Sequence, residues 1–121
     1  MDKLIKKAKD YFIIARISEI IGKFDVACSN YFKSLAAIND YVLSKKGMFP
    51  KDNSERFSML KENENFLYKI TSSLFLTYRR AYTKDIGKEE VLMLKEKVGE
   101  AFEYAKIELP TDSEIEKYIK K

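Results

Sequence analysis

The stretch Phe24–Lys46 reads FDVACSNYFKSLAAINDYVLSKK and decides the fold class. Its apolar residues alternate at spacings of four and three, which is the period of a helix that packs along one face in a bundle. These residues are Phe24, Cys28, Tyr31, Leu35, Ile38 and Val42. Lys45 and Lys46 suit the negative end of the helix dipole, and Gly47 suits the position just beyond the helix. The stretch therefore predicts one long amphipathic helix.

The same periodicity predicts three more long helices and two short ones. The long helices cover Asp2–Ile21, Asn65–Lys84 and Lys88–Glu108, and the short ones cover Asn53–Lys61 and Thr111–Lys120. Asp52 followed by Glu55, and Thr111 followed by Glu114, have the spacing of capping boxes. No segment alternates with the period of a strand, and the connections between long helices are short. We therefore expect an all-α, antiparallel up-and-down four-helix bundle with one or two additional short helices, as a single domain over residues 1–121.

The composition limits the class of protein. The 121 residues are 45% hydrophobic and 35% charged, with four glycines and two prolines, which indicates a globular chain and argues against an all-β fold. Abundant lysine and glutamate are typical of thermophile surfaces. The net charge of +4 fits an anionic partner, but it fits plain solubility as well. The single cysteine, Cys28, is expected to be buried, and a cytoplasmic location without membrane association is expected because no disulfide and no membrane-length apolar run is present.

The absence of histidine excludes several kinds of site. No Ser-His-Asp triad, no cysteine–histidine pair and no histidine metal site can form, and one cysteine cannot build a zinc thiolate site. The four glycines are isolated, so the sequence contains no glycine-rich phosphate loop. We predict no catalytic residue, no metal site and no cofactor from these patterns.

The predicted helix Asn65–Lys84 carries a second apolar face. Beside its core face lies a row formed by Tyr68, Ser72, Phe75, Arg79 and Tyr82, with Leu76 next to it. The helix Phe24–Lys46 also carries Phe32, Ala36 and Leu43 beside its main seam. Two helices with extra apolar faces favour a homodimer, whose interface would contain these residues except Ser72. The alternative is that a short helix covers these faces within the chain.

Two adjacent arginines stand near the end of this helix, in Tyr78-Arg79-Arg80-Ala81-Tyr82-Thr83-Lys84-Asp85. A guanidinium pairs bidentately with phosphate and stacks on aromatic rings. The residues predicted to bind a nucleotide or RNA are Arg79, Arg80, Tyr82, Lys84 and Asp85. Tyr82 would stack on a base or hydrogen-bond to it, although an aromatic row can also serve packing alone. At a dimer seam the arginines would need a counter-charge from Asp85, Glu89 or a bound phosphate.

The order of helices from Asp25 to Glu108 resembles that of the HEPN domains (higher eukaryotes and prokaryotes nucleotide-binding). The resemblance is carried by Tyr31-Phe32-Lys33-Ser34-Leu35-Ala36-Ala37-Ile38, the loop Gly47–Lys51, the short helix Asn53–Leu60 and the segment Leu74–Asp85. Many members of that family are metal-independent ribonucleases in which a histidine follows an arginine after four to six residues. Arg79 or Arg80 matches the arginine, whereas Lys84, Asp85, Ile86 and Gly87 occupy the positions open to the histidine. The chain thus resembles a variant of the family that lacks the histidine.

The residues and the resemblance together leave three functions open. The first is non-catalytic binding of a nucleotide or RNA near Arg79 and Arg80. The second is a protein interaction module without nucleic-acid binding. The third is a degenerate metal-independent ribonuclease that uses one of the arginines with Asp85 or Tyr82. The resemblance further implies a homodimer and, as in some members, a small nucleotidyltransferase partner in a toxin–antitoxin pair.

Overall fold

The computed structural model describes residues 2–120, and every regular element in this range is an α-helix. The helices are α1 (Asp2–Ile20), α2 (Phe24–Ser44), α3 (Asn53–Asn63), α4 (Asn65–Arg80), α5 (Lys88–Ala105) and α6 (Asp112–Ile119). The prediction of an all-α bundle is confirmed. No helix within residues 2–120 is both long enough and apolar enough to cross a membrane.

The central helix is α2, which contacts α1, α3, α4 and α5. At its start, Asp25 accepts a hydrogen bond from the backbone N–H of Ile86, just before α5. Beyond its end, Lys46 forms an ion pair with Glu64, just before α4, and Tyr104 near the end of α5 donates a hydrogen bond to the same carboxylate. Helix α4 therefore runs opposite to α2 and α5 runs in the same direction as α2. The fourth long helix, α1, precedes α2 by a tight turn and packs along it.

The core lies between the four long helices. Phe12 of α1 packs edge to face against Tyr31 of α2 and Phe102 of α5, with ring centroids 5.4 Å apart in each pair. Such pairs contribute about 0.5–1.5 kcal/mol beyond the apolar area that they bury. Cys28 is fully buried, as predicted, and its Sγ lies 3.8 Å from the carbonyl oxygen of Thr77. The long helices are thus held by one continuous apolar core.

The short helices begin where their capping residues predict. The Asp52 side chain accepts a hydrogen bond of 2.9 Å from the N–H of Glu55. The Thr111 hydroxyl accepts one of 3.2 Å from the N–H of Glu114, whose carboxylate accepts in return from the N–H of Thr111. Between α1 and α2, Gly22 has a φ of +80°, so the break predicted there is present. A left-handed backbone of this kind favours glycine because it has no Cβ.

Two long helices end earlier than the sequence predicts. Helix α4 ends at Arg80 and not at Lys84, because Ile86 turns into the core and donates its N–H to Asp25. Helix α5 ends at Ala105 and not at Glu108, because the next residue has a φ of 60° and the chain then buries Ile107. All other helix ends lie within two residues of their predicted positions, a difference that carries no weight.

Candidate nucleic-acid interface

The two predicted arginines lie in different environments at the end of α4. Arg80 forms an ion pair with Glu90 of α5, and the other oxygen of that carboxylate accepts a hydrogen bond from the N–H of Gly87. Arg79 lies over the ring of Phe75, with its Cζ 5.8 Å from the ring centroid. Arg79 forms no ion pair with any residue between 2 and 120. Of the pair, Arg79 is therefore the more available to an external anion.

The counter-charge of Arg80 differs from the one that the sequence suggested. We expected Asp85, Glu89 or a bound phosphate to supply it at a dimer seam, whereas in the single chain Arg80 pairs with Glu90. Glu90 is the third residue of α5, so its carboxylate reaches back to the helix start and across to α4. The ion pair between Arg80 and Glu90 is possible because α4 ends early. The α4–α5 turn (residues 81–87) and the first turn of α5 then lie beside Arg80.

Tyr82 lies just beyond the end of α4 and packs on Tyr78, four residues earlier. The hydroxyl oxygens of Tyr82 and Tyr78 are 3.1 Å apart, and the rings meet edge to face at 5.6 Å. Tyr78 in turn stacks on Phe32, with centroids 4.3 Å apart and planes 13° from parallel. We call Phe32, Tyr78 and Tyr82 the aromatic column. Its outer member, Tyr82, is 71% exposed.

Tyr78 and Cys28, which lie next to this site, stay neutral near neutral pH. The hydrogen bond with Tyr82, followed by burial, raises the pKa of Tyr78 to about 12. Burial, together with the nearby Asp25 carboxylate, raises the pKa of the Cys28 thiol to about 11. A general base works best when its pKa lies near the operating pH. Neither Tyr78 nor Cys28 therefore supplies one.

Lys84 and Asp85 both lie exposed on the α4–α5 turn. Lys84 forms no ion pair with a residue in the described range 2–120. Asp85 lines a cavity of about 360 Å³ at the α1–α2 turn, together with Gly22 and Lys23. Tyr82 does not line that cavity. The structure therefore brings Arg79, Tyr82 and Lys84 to one end of the bundle and directs Asp85 to a different depression.

A second cavity, of about 300 Å³, lies between α2 and Tyr82. We call it the Tyr82 cleft. From α2 it is lined by Asp25, Val26, Ser29, Asn30 and Lys33. The last four of these have the spacing i, i+3, i+4 and i+7 that marks one face of a helix. None of these five residues is among those predicted to form the site. The helical spacing of these α2 residues is visible in the sequence. Their position beside Tyr82 is not, because it depends on where α4 ends.

The predicted dimer residues of α2 are mostly covered within the chain. Leu43 is fully buried in the core, and Phe32 is almost fully buried beneath Tyr78 and Phe75. These two side chains are covered within the chain and have no surface left for a partner, but the rings that cover Phe32 belong to α4 and not to a short helix. Ala36 is half-buried.

Tyr68, Phe75 and Leu76, three of the predicted dimer residues, form one side of an apolar groove between α3 and α4. Phe57 of α3 packs edge to face on Phe75 and Tyr68, with centroid distances of 5.1 and 6.4 Å. A cavity of about 490 Å³ remains beside these rings, and Leu76 on its edge is 69% exposed. We call this the α3–α4 groove. Since Leu76, Arg79 and Tyr82 stay exposed in the single chain, the homodimer remains a prediction for this face.

Comparisons of the chain with models of known protein families, with curated proteins and with solved structures give no significant match. The HEPN resemblance therefore rests on the residues and helix order given above.

Proposed function

We propose that this chain binds single-stranded RNA or a nucleotide at the end of α4 and the α4–α5 turn, without cleaving it. The observation that carries the proposal is Tyr82. It is a large aromatic side chain, 71% exposed, whose ring is held by a hydrogen bond and an edge contact to Tyr78. Exposed aromatic rings next to positive charge are the usual platform for single-stranded nucleic acid, because every base has a face that can stack.

The positive charge comes from Arg79 and Lys84. Both are exposed, and neither forms an ion pair with a residue in the range 2–120. A guanidinium or an ammonium that binds a phosphate releases condensed counterions, which makes the affinity depend on salt. Arg80 contributes less, because its charge is balanced by Glu90.

The proposal is binding and not catalysis, because the site holds no group suited to proton transfer. The chain has no histidine. Tyr78 stays protonated near neutral pH, with its pKa raised to about 12 by the Tyr82 hydrogen bond and by burial. Asp85 and Lys84 both lie exposed on the α4–α5 turn, outside the buried surroundings that enzymes use to tune a general acid or base.

The test is a titration of labelled single-stranded RNA by fluorescence anisotropy at low and moderate salt. The double variant Arg79→Ala, Lys84→Ala should weaken binding and lower the slope of log K against log salt by about two. The matched control is Lys3→Ala, Lys7→Ala, which removes the same charge from exposed positions in the first turns of α1. No binding of the unaltered protein at either salt concentration would refute the proposal.

A second candidate function, a protein interaction module, is favoured by the α3–α4 groove. Leu76 is 69% exposed beside the rings of Phe57, Tyr68 and Phe75, and Lys61 also lines the groove. A homodimer or the small nucleotidyltransferase that the HEPN resemblance implies would cover this surface. Sedimentation of the unaltered protein and of Leu76→Asp tests the homodimer. Co-expression with a genomic neighbour tests the partner, and loss of either complex in Leu76→Asp places it at the groove.

A further inference from the structure

We infer that the Tyr82 cleft captures one unstacked base of the bound strand, with the base stacked on Tyr82, its edge bonded to Ser29 and Asn30, and the adjoining phosphate paired with Lys33. This inference rests on the proposed function and adds to it a base pocket with one wall on α2. It explains a feature that phosphate binding by Arg79 and Lys84 leaves unused, namely a cavity beside the exposed tyrosine.

The size and shape of the cleft suit one base. Its volume of about 300 Å³ lies at the lower end of the range for small-molecule pockets. It is lined by Ala81 and Tyr82 from the α4–α5 turn and by residues from the first half of α2. A base within a duplex is stacked on both faces and cannot enter such a cleft, so the site selects single strands.

The ring of Tyr82 is prepared for stacking before a ligand arrives. Its hydroxyl bonds to that of Tyr78 at 3.1 Å, and Tyr78 is itself stacked on the buried Phe32. An exposed side chain normally loses rotamer freedom when it binds a ligand, and that loss reduces affinity. Since the aromatic column already restrains the ring, most of this loss is avoided.

The α2 wall offers hydrogen-bonding groups that the fold does not use. The Asn30 amide nitrogen donates to the carbonyl oxygen of Val26 at 2.9 Å, and its Oδ1 accepts no hydrogen bond from a residue in the range 2–120. The Ser29 hydroxyl forms no hydrogen bond with a residue in the range 2–120. A free acceptor and a hydroxyl can bond the amino and imino groups on the edge of a base.

The cleft has a positive charge at one position, Lys33, which suits a phosphate, and a negative charge at another, Asp25, which suits a base. Lys33 has no ion-pair partner among residues 2–120, and its Nζ lies 6.0 Å from the centroid of the Tyr11 ring. It is therefore available to a phosphate. Asp25 lies a little over two helical turns earlier and is engaged by the N–H of Ile86. A carboxylate repels phosphate, so the base and not the backbone should face Asp25.

The experiment uses a single-stranded RNA in which one base is replaced by 2-aminopurine, whose fluorescence falls when it stacks on an aromatic ring. Binding is followed by anisotropy on the same sample. The unaltered protein should quench the probe, Tyr82→Phe should retain most of the quenching, and Tyr82→Leu should abolish it and weaken binding about 5- to 150-fold. Lys33→Gln should lower the salt slope by about one, whereas Lys45→Gln, at the far end of α2, should leave it unchanged.

The outcomes separate the two proposals. RNA that binds without quenching, or that is quenched equally by Tyr82→Leu, would overturn the base pocket and leave the proposed function in place. Equal salt slopes for Lys33→Gln and the unaltered protein would remove Lys33 from the site and overturn the pocket as stated. A complete lack of RNA binding would overturn both proposals.

Discussion

The hydroxyl oxygens of Tyr78 and Tyr82 lie 3.1 Å apart. The two residues are four positions apart in the chain, on either side of the end of α4. The bond joins a ring stacked in the bundle to one that is mostly in solvent. The position of the exposed ring therefore depends on packing beneath it, and the state of the hydroxyl pair can be followed by titration.

Removing the Tyr82 hydroxyl should lower the pKa of Tyr78 from about 12 towards its ordinary value of 10.0, because the Tyr82 hydrogen bond is the largest cause of the shift. A phenol pKa that is higher in the folded state adds stability in full below about pH 10, and this stability is lost as the pH rises through about 12. The Tyr82→Phe variant should show one fewer tyrosine that ionises late in the alkaline absorbance titration.

The control for that titration is Tyr68→Phe, because the Tyr68 ring packs on Phe57 and its hydroxyl forms no hydrogen bond with a residue in the described range. This variant also removes one tyrosine but leaves the Tyr78–Tyr82 pair intact. If the two variants gave the same alkaline curve beyond pH 10, the hydroxyl pair would not be the cause of the shift.

Two leucines that the sequence placed in one interface should differ in their effect on stability. Leu43→Ala leaves a cavity in the core and should lower the free energy of unfolding by about 2–5 kcal/mol. Leu76→Ala should change it by no more than about 0.5 kcal/mol, because Leu76 is 69% exposed. Urea denaturation measures both. A large loss for Leu76→Ala that grows with protein concentration would instead place Leu76 in a homodimer.

The difference between Leu43 and Leu76 shows a limit of helical periodicity. The pattern predicts where helices form, but it does not predict which apolar face is buried. The caps at Asp52 and Thr111 are local in sequence, so the short helices were predicted to begin within one residue of their actual starts. Whether Leu43 or Leu76 is buried depends on which helix packs next to each, and a single helix pattern contains no such information. The caps are therefore safer predictions than the exposed faces.

The end of α4 marks the corresponding limit for the site. The residues from Tyr78 to Lys84 keep a helical pattern, so nothing local predicts the stop at Arg80. The stop comes from the burial of Ile86 and its hydrogen bond to Asp25, which is 61 residues away in the chain. The arginines, Tyr82 and Lys84 are close together in the sequence itself, and their role as a binding site stays a prediction. Glu90 pairs with Arg80, and Asn30 and Lys33 line the Tyr82 cleft. These three residues could be identified only from the tertiary structure.

Acid should weaken the contact that ties the end of α2 to α4 and α5. Burial alone would raise the pKa of the Glu64 carboxyl, but the hydrogen bonds from Lys46 and Tyr104 outweigh it and hold this pKa below its usual value of 4.5. A lowered carboxyl pKa adds stability above about pH 4.5, and this stability is lost as the pH falls through the lowered value. The urea midpoints of the unaltered protein and Glu64→Gln should therefore converge in acid.

The comparison variant for Glu64 is Glu62→Gln, which changes an exposed carboxylate two residues earlier. Its urea midpoint should follow that of the unaltered protein at every pH. If the difference between the unaltered protein and Glu64→Gln stayed constant from neutral pH into acid, the ion pair with Lys46 would not contribute to the pH dependence.

Releasing Arg80 should strengthen RNA binding under the proposed function. Glu90→Gln removes the charge that balances Arg80 but keeps an oxygen that can accept the N–H of Gly87, so the start of α5 is preserved. We expect tighter binding in the anisotropy titration and a salt slope that is steeper by up to about one. Glu96→Gln, an exposed change further along α5, is the control for net charge alone. Equal gains in the two variants would argue against any role for Arg80.

The central position of α2 has a consequence for the order in which the molecule opens. Helices α1 and α2 are adjacent in sequence and pack along each other, so their hairpin can form with little loop-closure entropy. The α4–α5 turn reaches α2 through the burial of Ile86 and its hydrogen bond to Asp25, which lies 61 positions away in the chain, so these contacts have a much larger closure cost. We therefore expect this turn to open locally while the hairpin stays folded, so that the amide of Ile86 exchanges with solvent before the amides of α2. The proposed ligand site would then unfold first, and a bound strand would be recognised by slower exchange there than elsewhere in the bundle.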